Sequence, residues 1–402
     1  MHYNTSFKTN IFLIQFLYLI FALSLSWDVI QILFFRDLGF TFFEIGILLL
    51  VASLVTIIFE VPSGNFTDIY GRKFSLLIVF ILLLLSSILL IIFSNYLMIM
   101  IAFILLAISR SFWSGTTDSL LFESLKKINR KTIYQKIMSR NHFFLISVGV
   151  LTNFMVPVIF GYNTKYPFIF ASIFAIIGLV SCLLLKESKI KDTANRQSFY
   201  DKYYLTLKDS IKQISGSNNL IYLIVFSAIL GSSLVLFADI INQPFIQDEW
   251  SLTYYGMIFS LATILQSLLV LKVNSIIKLF KKFNIYLVLS LIVPINLILM
   301  LYFVDLLYVL IPLMAVFWFF GSLRYIFISN EINNKINDDK SRASVHSINN
   351  MFMSLLTIVL APIFGLVIDS LGINYSIQIL AIYILVSCLI ITKLKFLNKL
   401  KN

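Results

Sequence analysis

Apolar positions in this chain fall in long unbroken runs, not at the alternating or three-and-four spacing of half-buried strands and surface helices. Twelve runs are present, near 11–35, 40–64, 75–93, 96–121, 142–160, 167–185, 219–243, 252–274, 284–303, 306–330, 344–368 and 373–392. A helix needs roughly 20 apolar residues to cross about 30 Å of hydrocarbon, and only a helix or a closed barrel satisfies its backbone there. The pattern therefore predicts an all-α membrane protein with twelve transmembrane helices. The first run is too long for a signal-peptide core, carries Asp28 and lacks a small-residue cleavage site, so it reads as a retained span.

The longest polar stretch, 186–218, divides the spans six and six. It predicts an N-terminal bundle over 1–185, a cytoplasmic linker over 186–218 and a C-terminal bundle over 219–402. Within the linker Phe199, Tyr203, Leu207, Ile211 and Ile214 recur at helical spacing among lysines. An amphipathic helix on the anionic inner leaflet and a solvated charged linker both fit.

The two halves resemble each other. Asp28-Val29-Ile30-Gln31 through Asp37 parallels Asp239-Ile240-Ile241-Asn242 through Asp248, with four of the ten positions identical. Arg110 of the fourth span answers Arg324 of the tenth, and Pro157 to Gly161 answers Pro362 to Gly365. Two parallel, pseudo-symmetric six-helix halves are expected, with a substrate site near mid-membrane.

Composition agrees with lipid as the solvent. Hydrophobic residues make up 59% and charged residues 12%, with 39 Phe and 19 Tyr spread throughout, far too little polar surface for a soluble globule. The net charge of +12 could suggest nucleic acid, but the cations lie in short loops and make no basic face. With the N-terminus inside, cytoplasmic segments hold 27 of the 31 Lys and Arg, outer loops only Arg36 and Lys165. Cationic residues are retained on the cytoplasmic side, so both termini are expected there, in the cell (plasma or inner) membrane. Cys182 and Cys388 lie inside apolar runs and behave as small hydrophobes. No His, Cys or acidic group has metal-ligand spacing and no nucleophile–base set appears, so no metal, cofactor or enzyme activity is expected.

Between the second and third spans the chain reads Gly64-Asn65-Phe66-Thr67-Asp68-Ile69-Tyr70-Gly71-Arg72-Lys73. The loop resembles the signature of the major facilitator superfamily, Gly-x-x-x-Asp-x-x-Gly-Arg-Lys/Arg, at Gly64, Asp68, Gly71, Arg72 and Lys73. Pro62 and Gly64 are expected to loosen the end of the second helix, Gly71 to permit a tight turn, and Asp68 to accept from free amides of the third helix. The resemblance implies a cytoplasmic gate in which Arg72 bridges to Asp118, or else Glu123, low in the fourth span. The matching segment of the second half, Lys272 to Lys282, lacks the Gly and Asp, so a weaker latch or none is expected. The continuation Ser114 to Lys126 looks like bacterial efflux members.

An ionisable residue inside a bilayer costs several kcal/mol, so it faces the bundle interior and has a role. Asp28, Arg110, Asp239 and Arg324 stand on spans 1, 4, 7 and 10, which line the central cavity in this superfamily. Counting about 1.5 Å per residue puts the two aspartates roughly 10 Å below the outer boundary. Asp28, Asp239 or both are expected to exchange a proton, with Arg110 and Arg324 restraining that exchange or pairing with an anionic substrate group; two permanent ion pairs are the competing reading. Gln31, Trp113 and Asn242 complete the candidate cavity. Trp27, Gln243, Gln266, Trp318 and Asn350 fit interhelical bonding better than ligand binding.

These readings lead to a monomeric secondary transporter that exports a small organic or drug-like compound, with protons as coupling ion, by alternating access. The alternatives are an uptake symporter for a small nutrient or peptide, and a non-transporting receptor-like member of the fold. The fifth span bears on the choice, because the Gly-Pro and paired-glycine motif of drug antiporters is reduced there to Gly149, Pro157 and Gly161.

Overall fold

The computed structural model describes residues 2–127, 133–186, 211, 214–280, 284–335 and 342–401. Twelve of its helices are long and apolar enough to span a membrane. They are α1 (Thr9–Asp37), α2 (Phe42–Tyr70), α3 (Arg72–Ile92), α4 (Tyr96–Lys127), α5 (Tyr134–Tyr162), α6 (Tyr166–Leu184), α7 (Asn218–Gln247), α8 (Leu252–Leu271), α9 (Ile285–Tyr302), α10 (Leu307–Lys335), α11 (Arg342–Leu371) and α12 (Ile373–Lys401). No strand occurs among the described residues. The linker helix considered over 199–214 lies largely outside them.

Two spans are not continuous α-helix. In α1 the chain tightens to a 3-10 segment at Ser26–Ile30, and in α7 it widens to a π-turn at Phe237–Ile241. The two irregularities fall on the repeat-related stretches that carry Asp28 and Asp239. Irregular turns inside helices concentrate at functional positions because they free backbone groups and re-aim side chains. Nothing in the sequence announces either one, since both segments lack Gly and Pro.

Helix α2 corrects one expectation. It does not loosen at Pro62 and Gly64 but runs on to Tyr70. Ser63 and Thr67 turn their hydroxyls onto the carbonyls of Glu60 and Ser63 at 3.1 and 2.8 Å, local side-chain bonds to the preceding turn of the same helix. Gly71, at φ 97°, ends it, a conformation only glycine adopts without strain.

The helices form two compact units. The first comprises 1–40, 47–193 and 251–260. Small hydroxylated residues bring its helices close: Ser63 Oγ donates to Ser111 O at 3.1 Å, Ser109 Oγ to Val79 O at 3.0 Å and Ser86 Oγ to Ala102 O at 2.9 Å. This is the usual adhesive between helices that gain nothing from apolar burial in lipid. A Cβ on Gly178 of α6 would overlap the ring of Phe80, and Trp27, Phe34, Phe103 and Phe168 form an aromatic cluster around the 3-10 segment. The start of α8 belongs to this unit. Tyr255 donates its hydroxyl to Val29 O, Ser260 Oγ reaches Val150 O at 2.8 Å, and a Cβ on Gly256 would stand 2.9 Å from the carbonyl oxygens of Asn153 and Phe154.

The second unit comprises 41–46, 194–250 and 261–402, and α7, α9, α11 and α12 form its packed centre. It also holds the first residues of α2. Thr41 and Glu44 make a reciprocal capping box, with Thr41 N 2.8 Å from Glu44 Oε2 and Glu44 N 3.2 Å from Thr41 Oγ1. The next amides, Phe42 N and Phe43 N, donate to the carboxylate of Asp369 in α11 at 2.9 and 2.8 Å. Free amides and the dipole at a helix start favour such a carboxylate. Two glycines permit the approach: a Cβ on Gly46 would stand 2.6 Å from Ala361 O, and one on Gly365 would overlap the Phe42 carbonyl.

Candidate functional site

The first unit brings together two of the four intramembrane charges. Arg110 Nη2 lies 2.7 Å from Asp28 Oδ2. Asp28 stands on the 3-10 segment of α1, Arg110 in the middle of α4. The Asp28 and Arg110 side chains are 44% and 43% exposed, with the other carboxylate oxygen of Asp28, Oδ1, buried. Beside them, Gln31 is buried. Trp113, expected in the cavity wall, is 9% exposed and stacks on Phe21 at 3.9 Å, edge-on to Tyr18 and Phe80. It supports α1 and α3 through packing.

The second unit does not repeat this arrangement. Arg324 of α10 donates through Nη1 to Ser227 O at 3.1 Å and Ser227 Oγ at 3.0 Å, both on α7, and Nη2 meets only Met353 Sδ of α11 at 4.0 Å. Asp239 is not among its partners, so the symmetric second ion pair considered from the sequence is absent. Asp239 instead sits exposed on the π-turn of α7. Asn242, one turn beyond, is fully buried with neither amide atom bonded. Gln266 joins α8 to α10 through Ser322 Oγ at 3.2 Å, a helix-bridging role as expected.

At the α2–α3 turn Arg72 reaches α4. Its Nη2 lies 2.8 Å from Glu123 Oε1 and its Nε donates to Ser119 Oγ at 3.0 Å. Of the two acidic candidates, Glu123 is thus a partner; the side chains of Asp68 and Asp118 lie outside the described residues. Lys73 donates to Leu183 O and Leu185 O at 2.6 and 2.9 Å. It neutralises the carbonyl end of α6, a role hidden in sequence because the partners are 110 residues away. Gly64 meets nothing that a Cβ would touch. In the second half the corresponding stretch forms a short helix, Val273–Phe280.

Polar residues not singled out from sequence lie near the other end of α1. Arg140 Nη2 donates to Gln15 Oε1 at 2.5 Å, and Gln15 Nε2 to Asn141 Oδ1 at 3.1 Å. Asn10 and Lys186 exchange bonds at 2.6 and 3.0 Å. Only Gln15 lies inside an apolar run and was open to notice there; Asn10, Arg140, Asn141 and Lys186 flank the runs.

The described residues contain no group of three His, Cys, Asp or Glu able to hold a metal ion, and both cysteines are buried and unpaired.

The family model described as "Major Facilitator Superfamily" matches residues 11–330. The uncharacterized MFS-type transporter YxaM of Bacillus subtilis (strain 168) is 23% identical over 237 residues, 58% of this chain and 57% of that protein, so the match spans little more than half of the relative's length. Among solved structures, the nucleoside transporter NupG superposes with TM-score 0.77 at 14% identity, over 95% of this chain and 98% of that one. A bacterial homolog to the human lysosomal transporter Spinster gives 0.70 at 12% identity, covering 96% of both chains. A D-xylose-proton symporter gives 0.65 at 15%, covering 95% and 97%. At these identities the structures share a fold with this chain. With twelve spans and the matched family model over most of its length, the chain belongs to the Major Facilitator Superfamily.

Proposed function

We propose that the protein is a proton-coupled secondary transporter that exports a small organic compound by alternating access, with Asp28 and Arg110 as the coupling pair. The observation that carries this reading is the 2.7 Å contact of Arg110 Nη2 with Asp28 Oδ2, half-exposed inside two spans. Proton and guanidinium compete for one carboxylate: protonating Asp28 removes the charge that holds Arg110, and re-forming the pair expels the proton. A substrate that loosens the contact gains or loses stabilisation with the proton, which is the differential interaction coupling requires. The 3-10 segment of α1 is where Asp28 stands, a departure from regular α-helix of the kind found at functional positions.

Export follows from the efflux-like fourth span, and inside termini in a cell membrane from the Lys and Arg distribution. Arg72 with Glu123 serves as the cytoplasmic latch. Uptake is the second reading, favoured by the reduced glycine pattern at Gly149, Pro157 and Gly161. In proteoliposomes with an imposed pH gradient, the wild type is expected to exchange solute for protons moving the opposite way if it exports, and to carry solute and protons in the same direction if it takes solute up. Asp28→Asn is expected to lose gradient-driven flux about 100-fold while keeping equilibrative exchange, on the scale of a positioned proton-transfer group. Unchanged gradient-driven flux in Asp28→Asn would refute the coupling role.

A further inference from the structure

Among the described residues, the contacts of the intramembrane Arg324 are all with neutral groups. It lies on α10 eight residues, roughly 12 Å, from the end of the span at Ile332. A cation at such a depth is strongly disfavoured without a counter-charge. Its actual partners are a carbonyl, a hydroxyl and a distant thioether, and among the described residues it makes no ion pair.

The distribution of these contacts over the guanidinium is informative. Nη1 is held by both oxygens of Ser227. Nε has no acceptor and is buried, and Nη2 has only sulfur at 4.0 Å. Nε–H and Nη2–H point the same way and form the fork that takes a carboxylate or phosphate through two parallel bonds. Ser227 therefore clamps the head by its third nitrogen and leaves the two-point edge without an oxygen partner. Gly231, one turn along α7, gives the head its room: a Cβ there would lie 2.8 Å from Nη1 and 2.6 Å from Met353 Sδ.

We infer that the transported compound is an organic anion whose carboxylate, sulfonate or phosphate docks on the Nε–Nη2 edge of Arg324. This rests on the reading that the protein carries a small organic molecule, and it adds the charge of that molecule and the residue that reads it. Arg110, already occupied by Asp28, is assigned to the proton instead. The repeat thus carries one arginine for each task.

The alternative is that Arg324 is a strut tying α7 and α11 to α10. The two differ in sign. An uncompensated cation waiting for a ligand weakens the empty protein, whereas a strut strengthens it. The test is the melting temperature of the purified full-length protein, alone and with three matched probe pairs: phenylacetate and phenylacetamide, phenyl phosphate and phenol, benzenesulfonate and benzenesulfonamide. The wild type is expected to be stabilised by at least one anion and by no neutral partner. Arg324→Gln is expected to melt no lower than the wild type without ligand and to lose the anion response. Arg324→Lys, which keeps the charge but not the fork, is expected to retain a response at least several-fold weaker. Arg324→Gln that fails to fold or melts lower, a wild type indifferent to all three anions, or a full anion response surviving in Arg324→Gln would each overturn the inference. These readouts need no gradient, so they stand or fall separately from proton coupling at Asp28.

Discussion

At the scale of single residues, repeat-related positions have acquired different surroundings. Asp28 and Arg110 touch; Asp239 and Arg324 do not. A third kind of charge lies at the end of α7, where Glu249 stands near Asp248 and Asp305. Loss of hydration first, then repulsion from and a shared hydrogen bond with Asp305, then Asp248, raise the Glu249 carboxyl above its ordinary range. The folded protein consequently binds this proton more tightly than the unfolded chain. Its contribution favours the folded state at low pH and is lost as pH rises through the raised value. Glu249→Gln, permanently neutral, is expected to stabilise the protein near pH 7 by a few tenths of a kcal/mol, a modest effect because the group is exposed. The gain should vanish below the ordinary glutamate range, where both side chains are uncharged. Melting curves of the two proteins across that interval check it, and an equal difference at every pH would show that charge is not the cause.

At the scale of elements, the most demanding junction is the start of α2 against α11. Asp369 serves two amides of α2, and Gly46 and Gly365 let the backbones meet. Asp369→Ala removes a cap and should cost about 1 kcal/mol. Asp369→Asn, still an acceptor, should cost less. Gly365→Ala forces a Cβ into the Phe42 carbonyl, which is backbone and cannot step aside as a side chain could, so it should exceed the cap loss. Thermal melts of the three variants rank these effects, and a Gly365→Ala protein as stable as wild type would mean that the junction opens without cost. Half of this junction was legible beforehand. Thr41-Phe42-Phe43-Glu44 is a capping box in plain sight. The other half was not, because Asp369 lies 327 residues from Phe42 and no local rule connects them. The same division runs through the candidate site. Span positions followed from apolar run length, and the Gly71 turn and Arg72 bridge from the motif. The 3-10 and π segments did not follow, since Ser26–Ile30 and Phe237–Ile241 contain neither Gly nor Pro, and their Ser, Asp, Val and Ile disfavour a regular helix only weakly. The choice of Ser227 over Asp239 by Arg324 depends on a side-chain direction that spacing alone does not fix.

At the scale of the whole molecule, the direction in which the chain threads the membrane rests on charge and not on packing. A helix is equally satisfied in either orientation, whereas cationic loops resist translocation. Twelve of the 31 Lys and Arg fall before Lys186 and nineteen from it onward, so both halves carry the bias and neither opposes the other. Helix α5 offers the sharpest test because its ends are both exposed, at Lys136 and Tyr162, and a single helix cannot present both to one side. Cys182 and Cys388 are buried, so replacing them by alanine leaves a background in which one introduced thiol reports. Tyr162→Cys is expected to react with a membrane-impermeant maleimide in intact cells. Lys136→Cys is expected to react only after permeabilisation. The opposite pattern would invert the assignment of inside and outside, and with it the side on which the Arg72–Glu123 ion pair lies.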